Sequence, residues 1–172
     1  MSKTSDDFDA EALYRTLLGQ VRDGLAGVGD AAIVGIHSGG AWLAERLARD
    51  LDLNGRLGFI DVSFYRDDYA KKGLHPDVKP THIPFNVDGA TIVLVDDVLF
   101  TGRTTRAAIN VLFDYGRPQR IVLAALVDRG GRELPVAADF AGARVTLKPG
   151  QSLALLKNAD GQLSLTIEED NV

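Results

Sequence analysis

Apolar positions near the start of the chain recur at steps of three and four: Leu13, Leu17, Leu18, Val21 and Leu25 follow Asp9 in this way. That spacing predicts one apolar face of a helix with Asp9 as its N-cap. The pattern then changes. AAIVGI (31–36) is an unbroken apolar run of strand length, as expected of a strand buried on both faces, and HSGG (37–40) ends it. AWLAERLARDL (41–51) restores helical spacing, with Trp42 or Leu43, Leu47 and Leu51 on one face. Strand, glycine turn and helix in that order open a βαβ unit.

Further along, LGFIDVSFYR (57–66) alternates enough for a strand, and THIPFNVDGA (81–90) is its expected partner, confined to an edge by prolines. The charged DDYAKKGLHPDVKP (67–80) between them has little to bury, which predicts a mobile, functional loop. TIVLV (91–95) predicts a central strand. TTRAAINVLFDYG (104–116) predicts a helix with Ala108, Val111, Leu112 and Tyr115 inward and Gly116 as its stop. RIVLAALV (120–127) is the strongest strand pattern, and ARVTL (143–147) and QLSLTIEE (162–169) predict shorter ones. The expected fold is α/β, a mostly parallel sheet flanked by helices, in one domain spanning 1–172.

Composition narrows the function classes. Hydrophobic residues make up 45% and charged residues 25% of the 172, as in a globular protein, and no apolar run reaches the ~20 residues of a membrane span. The N-terminus lacks an apolar signal core and there is no cysteine, so a cytoplasmic location is expected. A net charge of −5 argues against strong general attraction to nucleic acid, leaving room only for a local basic patch.

The chemistry gathers in TIVLVDDVLFTGRTT (91–105). Asp96 and Asp97 follow an apolar strand, and in parallel sheets ligands collect at the carboxyl ends of strands. The loop Leu99, Phe100, Thr101, Gly102, Arg103, Thr104, Thr105 then leads into a helix expected to start near Thr104 or Thr105. Free amides at that start, a glycine permitting close approach, three threonine hydroxyls and one arginine suit a phosphate monoester. Neither a P-loop nor a G-x-G-x-x-G motif is present. Two carboxylates repel a phosphate unless Mg²⁺ or sugar hydroxyls occupy them, and ribose 5-phosphate satisfies both halves. Two other readings remain open on the residues alone. Asp96 can simply cap the turn while the threonines solvate a helix end. An acid pocket of receiver-domain type also follows an apolar strand, but it opens its domain rather than falling past the midpoint.

With its acid pair and T-G-x-T loop, VLVDDVLFTGRTT (93–105) resembles the PRPP signature of the type I phosphoribosyltransferases. Together with IVGIHSGGAWLAERLA, DVSFYRDDYAKKG, YGRP and LVDRGGRELPVAADFAG, the resemblance extends over about 10–168 to the group combining pyrimidine operon regulation with uracil phosphoribosyltransferase activity. It implies that family's fold, with a flexible hairpin loop and a small hood. It also implies conversion of uracil and PRPP to UMP and pyrophosphate, with Mg²⁺, as in pyrimidine salvage.

By the same resemblance, Asp96 and Asp97 hold the ribosyl hydroxyls, directly or through Mg²⁺-bound water, and Thr101 to Thr105 hold the 5-phosphate. Ser38, Gly39 and Gly40 take the place of the pyrophosphate loop; many relatives carry an arginine where Gly39 stands, a departure expected to weaken that subsite. A plain βα turn is the bland reading of those residues. Arg66 in the YRDD segment is the expected pyrophosphate contact, with Lys71 and Lys72 as secondary candidates that composition alone reads as solvated charges. Val127, Asp128, Arg129 and Gly130 are expected around uracil; against this stands a hairpin with Arg132 and Glu133 paired in solvent. UMP-dependent binding of pyr messenger RNA leaders, causing attenuation, and a homodimer or higher homo-oligomer are implied as well. For RNA the cations on offer are Arg15 and Arg22 of the first helix with Arg129, Arg132 and Arg144, while PVAADFAGAR has alanines where arginines are wanted. Two further alternatives are a transferase for a purine or orotate, and a nucleotide-sensing RNA regulator with little activity.

Overall fold

A computed structural model describes residues 8–62 and 80–170. Helix α1 (Ala10–Gly24) begins where the Asp9 side chain accepts a hydrogen bond from the Ala12 amide at 3.1 Å. Strand β1 (Ala31–Ile36), helix α2 (Gly39–Asp50), a short 3₁₀ turn (Asn54–Arg56) and strand β2 (Leu57–Ile60) follow. Strand β3 (Thr91–Leu99), helix α3 (Arg103–Tyr115), and strands β4 (Arg120–Asp128) and β5 (Phe140–Arg144) complete the main body, and β6 (Gln151–Lys157) and β7 (Leu163–Glu169) form a separate hairpin.

The five-stranded sheet has the order β2-β1-β3-β4-β5, every pair parallel. Because strand side chains alternate between faces, β1 and β3 feed two cores. Ile33, Val93 and Val95 pack beneath α1 and α2 with Leu17, Val21, Leu43 and Leu47, whereas Val34, Ile92 and Leu94 pack beneath α3 with Ala108 and Leu112. Burial on both faces explains the unbroken apolar runs in β1 and β4. Leu43, not Trp42, supplies the buried position of α2.

Several expectations shift. The strand expected to end before the acid pair runs through it to Leu99, since Asp96, Val98 and Leu99 stay paired with Ala125, Val127 and Asp128 of β4. Tyr115, expected inward, is 48% exposed, because α3 ends there and Gly116 turns the chain back against Val87 and Asp88. The short strand expected at 143–147 lies at Phe140–Arg144, at the sheet edge, where Gly142 allows close packing on Leu126 and Leu13. The expected partner of β2 contributes one antiparallel bridge, Phe59 to His82. Strand β6 was not foreseen: its QSLALLK pattern is buried only at Leu155.

Candidate functional site

The chain passes from β1 to β2 on one side and returns to β3 on the other, so the carboxyl ends of β1 and β3 lie at the topological switch point. Pairing of β1 with β3 stops at Gly35 opposite Val95, which leaves Asp96 and Asp97 beyond the last rung. Asp96 is 8% exposed and its Oδ1 accepts from the Asp97 amide at 2.9 Å; Asp97 Oδ1 accepts from the Val98 amide at 2.8 Å.

Two helices start at this crevice. Ser38 is the N-cap of α2, preceded by a cis His37–Ser38 peptide, and its carbonyl accepts from Ala41 and Trp42 at 3.1 and 3.2 Å. Gly39 and Gly40, expected in the turn, are the first helical residues, so their amides lack an intrahelical acceptor. Glycine is required at both for close approach. A Cβ on Gly39 would stand 2.8 Å from Asp97 Cγ, and one on Gly40 would stand 3.0 Å from Asp96 Cα. The first turn of α2 is therefore pressed against the acid pair.

Helix α3 starts one residue earlier than expected because Gly102 adopts φ 92°, a left-handed turn at which a side chain would strike Val136. Thr101 is buried; its hydroxyl accepts from the Arg103 amide at 3.2 Å and its carbonyl from Glu133 and Leu134. Thr105 Oγ1 is buried without a hydrogen-bond partner among the described residues. Arg103 pairs with Glu133 at 2.8 Å. Both helix N-termini carry partial positive charge toward the same crevice, flanking two carboxylates.

A cavity of about 200 Å³ lies there, lined by Ile36, His37, Asp96, Asp97, Val98, Phe100, Thr104, Arg129, Ser152 and Leu153. Among the sequence candidates it thus unites Asp96, Asp97, Phe100, Thr104 and Arg129. The Arg129 guanidinium stacks 3.9 Å from the Phe100 ring centroid and donates to the Gln151 carbonyl at 2.9 Å, and burial lowers its pKa from the ordinary arginine value. A larger concavity of about 520 Å³ beside Trp42 and Arg49 contains no acid pair and no glycine-led helix start. Size does not mark the site.

The other base-site candidates sit elsewhere. Val127 is buried in the core; Leu99, expected in the PRPP loop, is buried at the strand end. Asp128 is a buried hub: Oδ2 accepts from Arg132 at 2.6 Å and from Arg144 at 2.7 Å, and Oδ1 accepts from the Gly130 amide. Burial alone would raise its pKa, but Arg132, the Gly130 amide and Arg144 hold it below the ordinary carboxylate value. Arg132 also donates to the carbonyls of Phe100 and Val136, so it does not pair with Glu133 in solvent. Arg66, Lys71 and Lys72 lie outside the described residues. Sequence reasoning missed Ile36, His37, Val98, Ser152 and Leu153. His37 was legible from its place after a buried strand, while the last two carry no chemical signal and enter only through the hairpin.

The Phosphoribosyl transferase domain family matches residues 6–145. Bifunctional protein PyrR of Ralstonia nicotianae is 55% identical over 160 residues, 92% of this chain and 91% of its own length. Bifunctional protein PyrR of Pseudomonas aeruginosa is 50% identical over 130 residues, 76% of each. Among solved structures, hypoxanthine phosphoribosyltransferase from Trypanosoma cruzi superposes with a TM-score of 0.65 at 20% identity over 92% of both chains. A hypoxanthine-guanine phosphoribosyltransferase from Bacillus anthracis gives 0.63 at 18% identity, over 80% of this chain and 81% of that one. A parallel sheet with an acid pair between two helix starts, a family match over most of the length and these relatives lead to one statement: the chain belongs to the phosphoribosyltransferase family, in its type I fold and PyrR group.

Proposed function

We propose that the chain transfers the phosphoribosyl group of PRPP to uracil, giving UMP and pyrophosphate. The observation carrying this reading is the placement of Asp96 and Asp97 between two helix N-termini. PRPP has the complementary order, anionic groups at both ends of a sugar with vicinal hydroxyls. In this reading Thr101, Gly102, Arg103, Thr104 and Thr105 surround the 5-phosphate, and Ser38, Gly39 and Gly40 receive pyrophosphate. The carboxylates of Asp96 and Asp97 accept from the ribosyl hydroxyls, at about 1.5–3 kcal/mol for each charged hydrogen bond. Uracil enters the cavity beside Phe100 and Arg129, below Ser152 and Leu153. Its N1 attacks C1 as the bond from C1 to the pyrophosphate oxygen breaks, pyrophosphate leaves with the bonding pair, and the N1 proton is released to water.

The chain's contribution is alignment of the reactants, which supplies about 7–11 kcal/mol in well-oriented systems, together with positive potential where pyrophosphate charge develops. Among the described residues no three His, Cys, Asp or Glu side chains gather as a metal cage. Two carboxylates beside a polyphosphate fit Mg²⁺, which takes one or two carboxylates, substrate oxygens and water. Asp96 and Asp97 would hold it, and it supplies charge neutralisation on pyrophosphate. UMP formation from uracil, PRPP and Mg²⁺ is the test; conversion of hypoxanthine or orotate with none of uracil sinks the reading.

A second activity accompanies this reading, UMP-dependent binding of a pyrimidine leader RNA, favoured by 55% identity to a relative named bifunctional. With Arg132 and Arg144 tied to Asp128 and Arg129 stacked on Phe100, the exposed Arg15 and Arg22 of α1 are the ones left among the cations named from the sequence. A gel shift of leader RNA that depends on UMP supports this activity, and the absence of any shift at micromolar protein and modest salt refutes it.

A further inference from the structure

We propose that Glu11 and Arg46 form a clasp that sets the height of the roof over the base cavity, and so act as positioning residues for base selection. The proposal rests on the transferase reading above. Ser152 and Leu153 line the cavity, yet they belong to the β6–β7 hairpin, which is not hydrogen-bonded into the five-stranded sheet. Among the described residues, side-chain contacts and the segment joining β5 to β6 therefore fix where that roof stands.

Contacts along the length of the hairpin do so. Midway along, Leu155 and Leu165 are buried in the core under α1 and α2, and Leu163 is buried there beside the turn. At the cavity end, Arg129 donates to the Gln151 carbonyl at 2.9 Å while stacked on Phe100. At the far end, the Glu11 carboxylate accepts from Arg46 Nη1 at 2.6 Å, Arg46 Nη2 at 2.9 Å and the Leu163 amide at 2.8 Å. Arg46 Nη2 also donates to the Gly161 carbonyl at 2.5 Å, and the Tyr14 ring lies 5.3 Å from its guanidinium carbon. One carboxylate and one guanidinium thus join α1, α2 and the hairpin turn.

Apolar burial is non-directional, so the leucine row holds the hairpin down without a directional bond to set its tilt. A two-pronged charged pair is directional, and at the far end of a seven-residue strand it fixes the angle of the cavity end. The turn itself borders the open groove of about 520 Å³ beside Arg46 and Lys157; there the buried Leu163 side chain and the Lys157 ammonium, 5.1 Å from the Trp42 ring centroid, hold it without the fixed direction of the clasp. The roof height decides whether a single ring or a fused double ring fits above the acid pair.

Glu11→Gln and Arg46→Lys test this in the full chain, with steady-state kinetics on uracil, PRPP and hypoxanthine, circular dichroism confirming the fold. KM for uracil is expected to rise about tenfold, the equivalent of ~1.4 kcal/mol. KM for PRPP should stay within about twofold and the preference for uracil over hypoxanthine should fall. A uniform loss across both substrates, or unchanged selectivity in a folded variant, overturns the proposal. If Glu11→Gln does not fold, Arg46→Lys, which keeps the charge and loses the fork, decides the matter. Wild-type protein that turns over another base refutes the uracil reading separately, and the clasp is then read on that base.

Discussion

Substituting Gly39 by alanine tests the idea that the first turn of α2 and the acid pair work as one unit. The added Cβ would lie 2.8 Å from Asp97 Cγ and 2.9 Å from Asp97 Cβ. Carbon atoms prefer a separation of about 3.5–4.0 Å, so the two groups must part by roughly 0.7–1 Å. Displacement on the order of 1 Å in an aligned active site costs about 10²-fold, or ~2.7 kcal/mol of transition-state stabilisation. Folding should suffer less: crowding costs about 1–3 kcal/mol, offset by about 1 kcal/mol from replacing a helical glycine with alanine. The assay is pyrophosphate release from PRPP with uracil, alongside thermal melting. The expected result is kcat/KM down about 100-fold with a near-normal melt. A folded Gly39→Ala protein within threefold of wild type refutes the reasoning. Gly39→Arg is expected to lose activity as well, because Asp97 already occupies the space.

Thr105→Val removes a buried hydroxyl that lacks a partner among the described residues, so the unliganded protein should be stabilised by about 1 kcal/mol in a urea melt; a loss of stability shows the hydroxyl to be satisfied. Asp128→Asn should cost about 2 kcal/mol, less than a fully buried pair because Arg144 is 63% exposed, and should leave KM for PRPP unchanged. Since the Asp128 pKa is lowered on folding, its contribution is present above the unfolded value near 4 and lost as pH falls through the folded one. Wild-type stability therefore declines on acidification below about pH 4, and Asp128→Asn should decline less steeply; identical slopes refute this. Asp96→Asn and Asp97→Asn should each remain folded and lose transferase activity, as read by UMP formation.

Much of this protein was legible in its amino-acid order. Local periodicity suffices to place α1, β1, α2, β3, α3 and β4, because each buries a face or a whole strand whose apolar spacing repeats over many residues. The motif around Asp96 and Asp97 also stands in the sequence, since an acid pair, a left-handed glycine and a helix start are contiguous. What only the tertiary structure decided involves residues distant in the chain. Gly39 touches Asp97 because β1 and β3 are neighbours across the switch point. Asp128, contiguous with a base-site motif, is turned inward by Arg132 and by Arg144, sixteen positions away. Ser152 and Leu153 enter the cavity because three leucines and a clasp from Glu11 and Arg46 hold a hairpin that shares no hydrogen-bonded ladder with the sheet. Local pattern reports what each segment must bury; only the folded chain decides which segments meet.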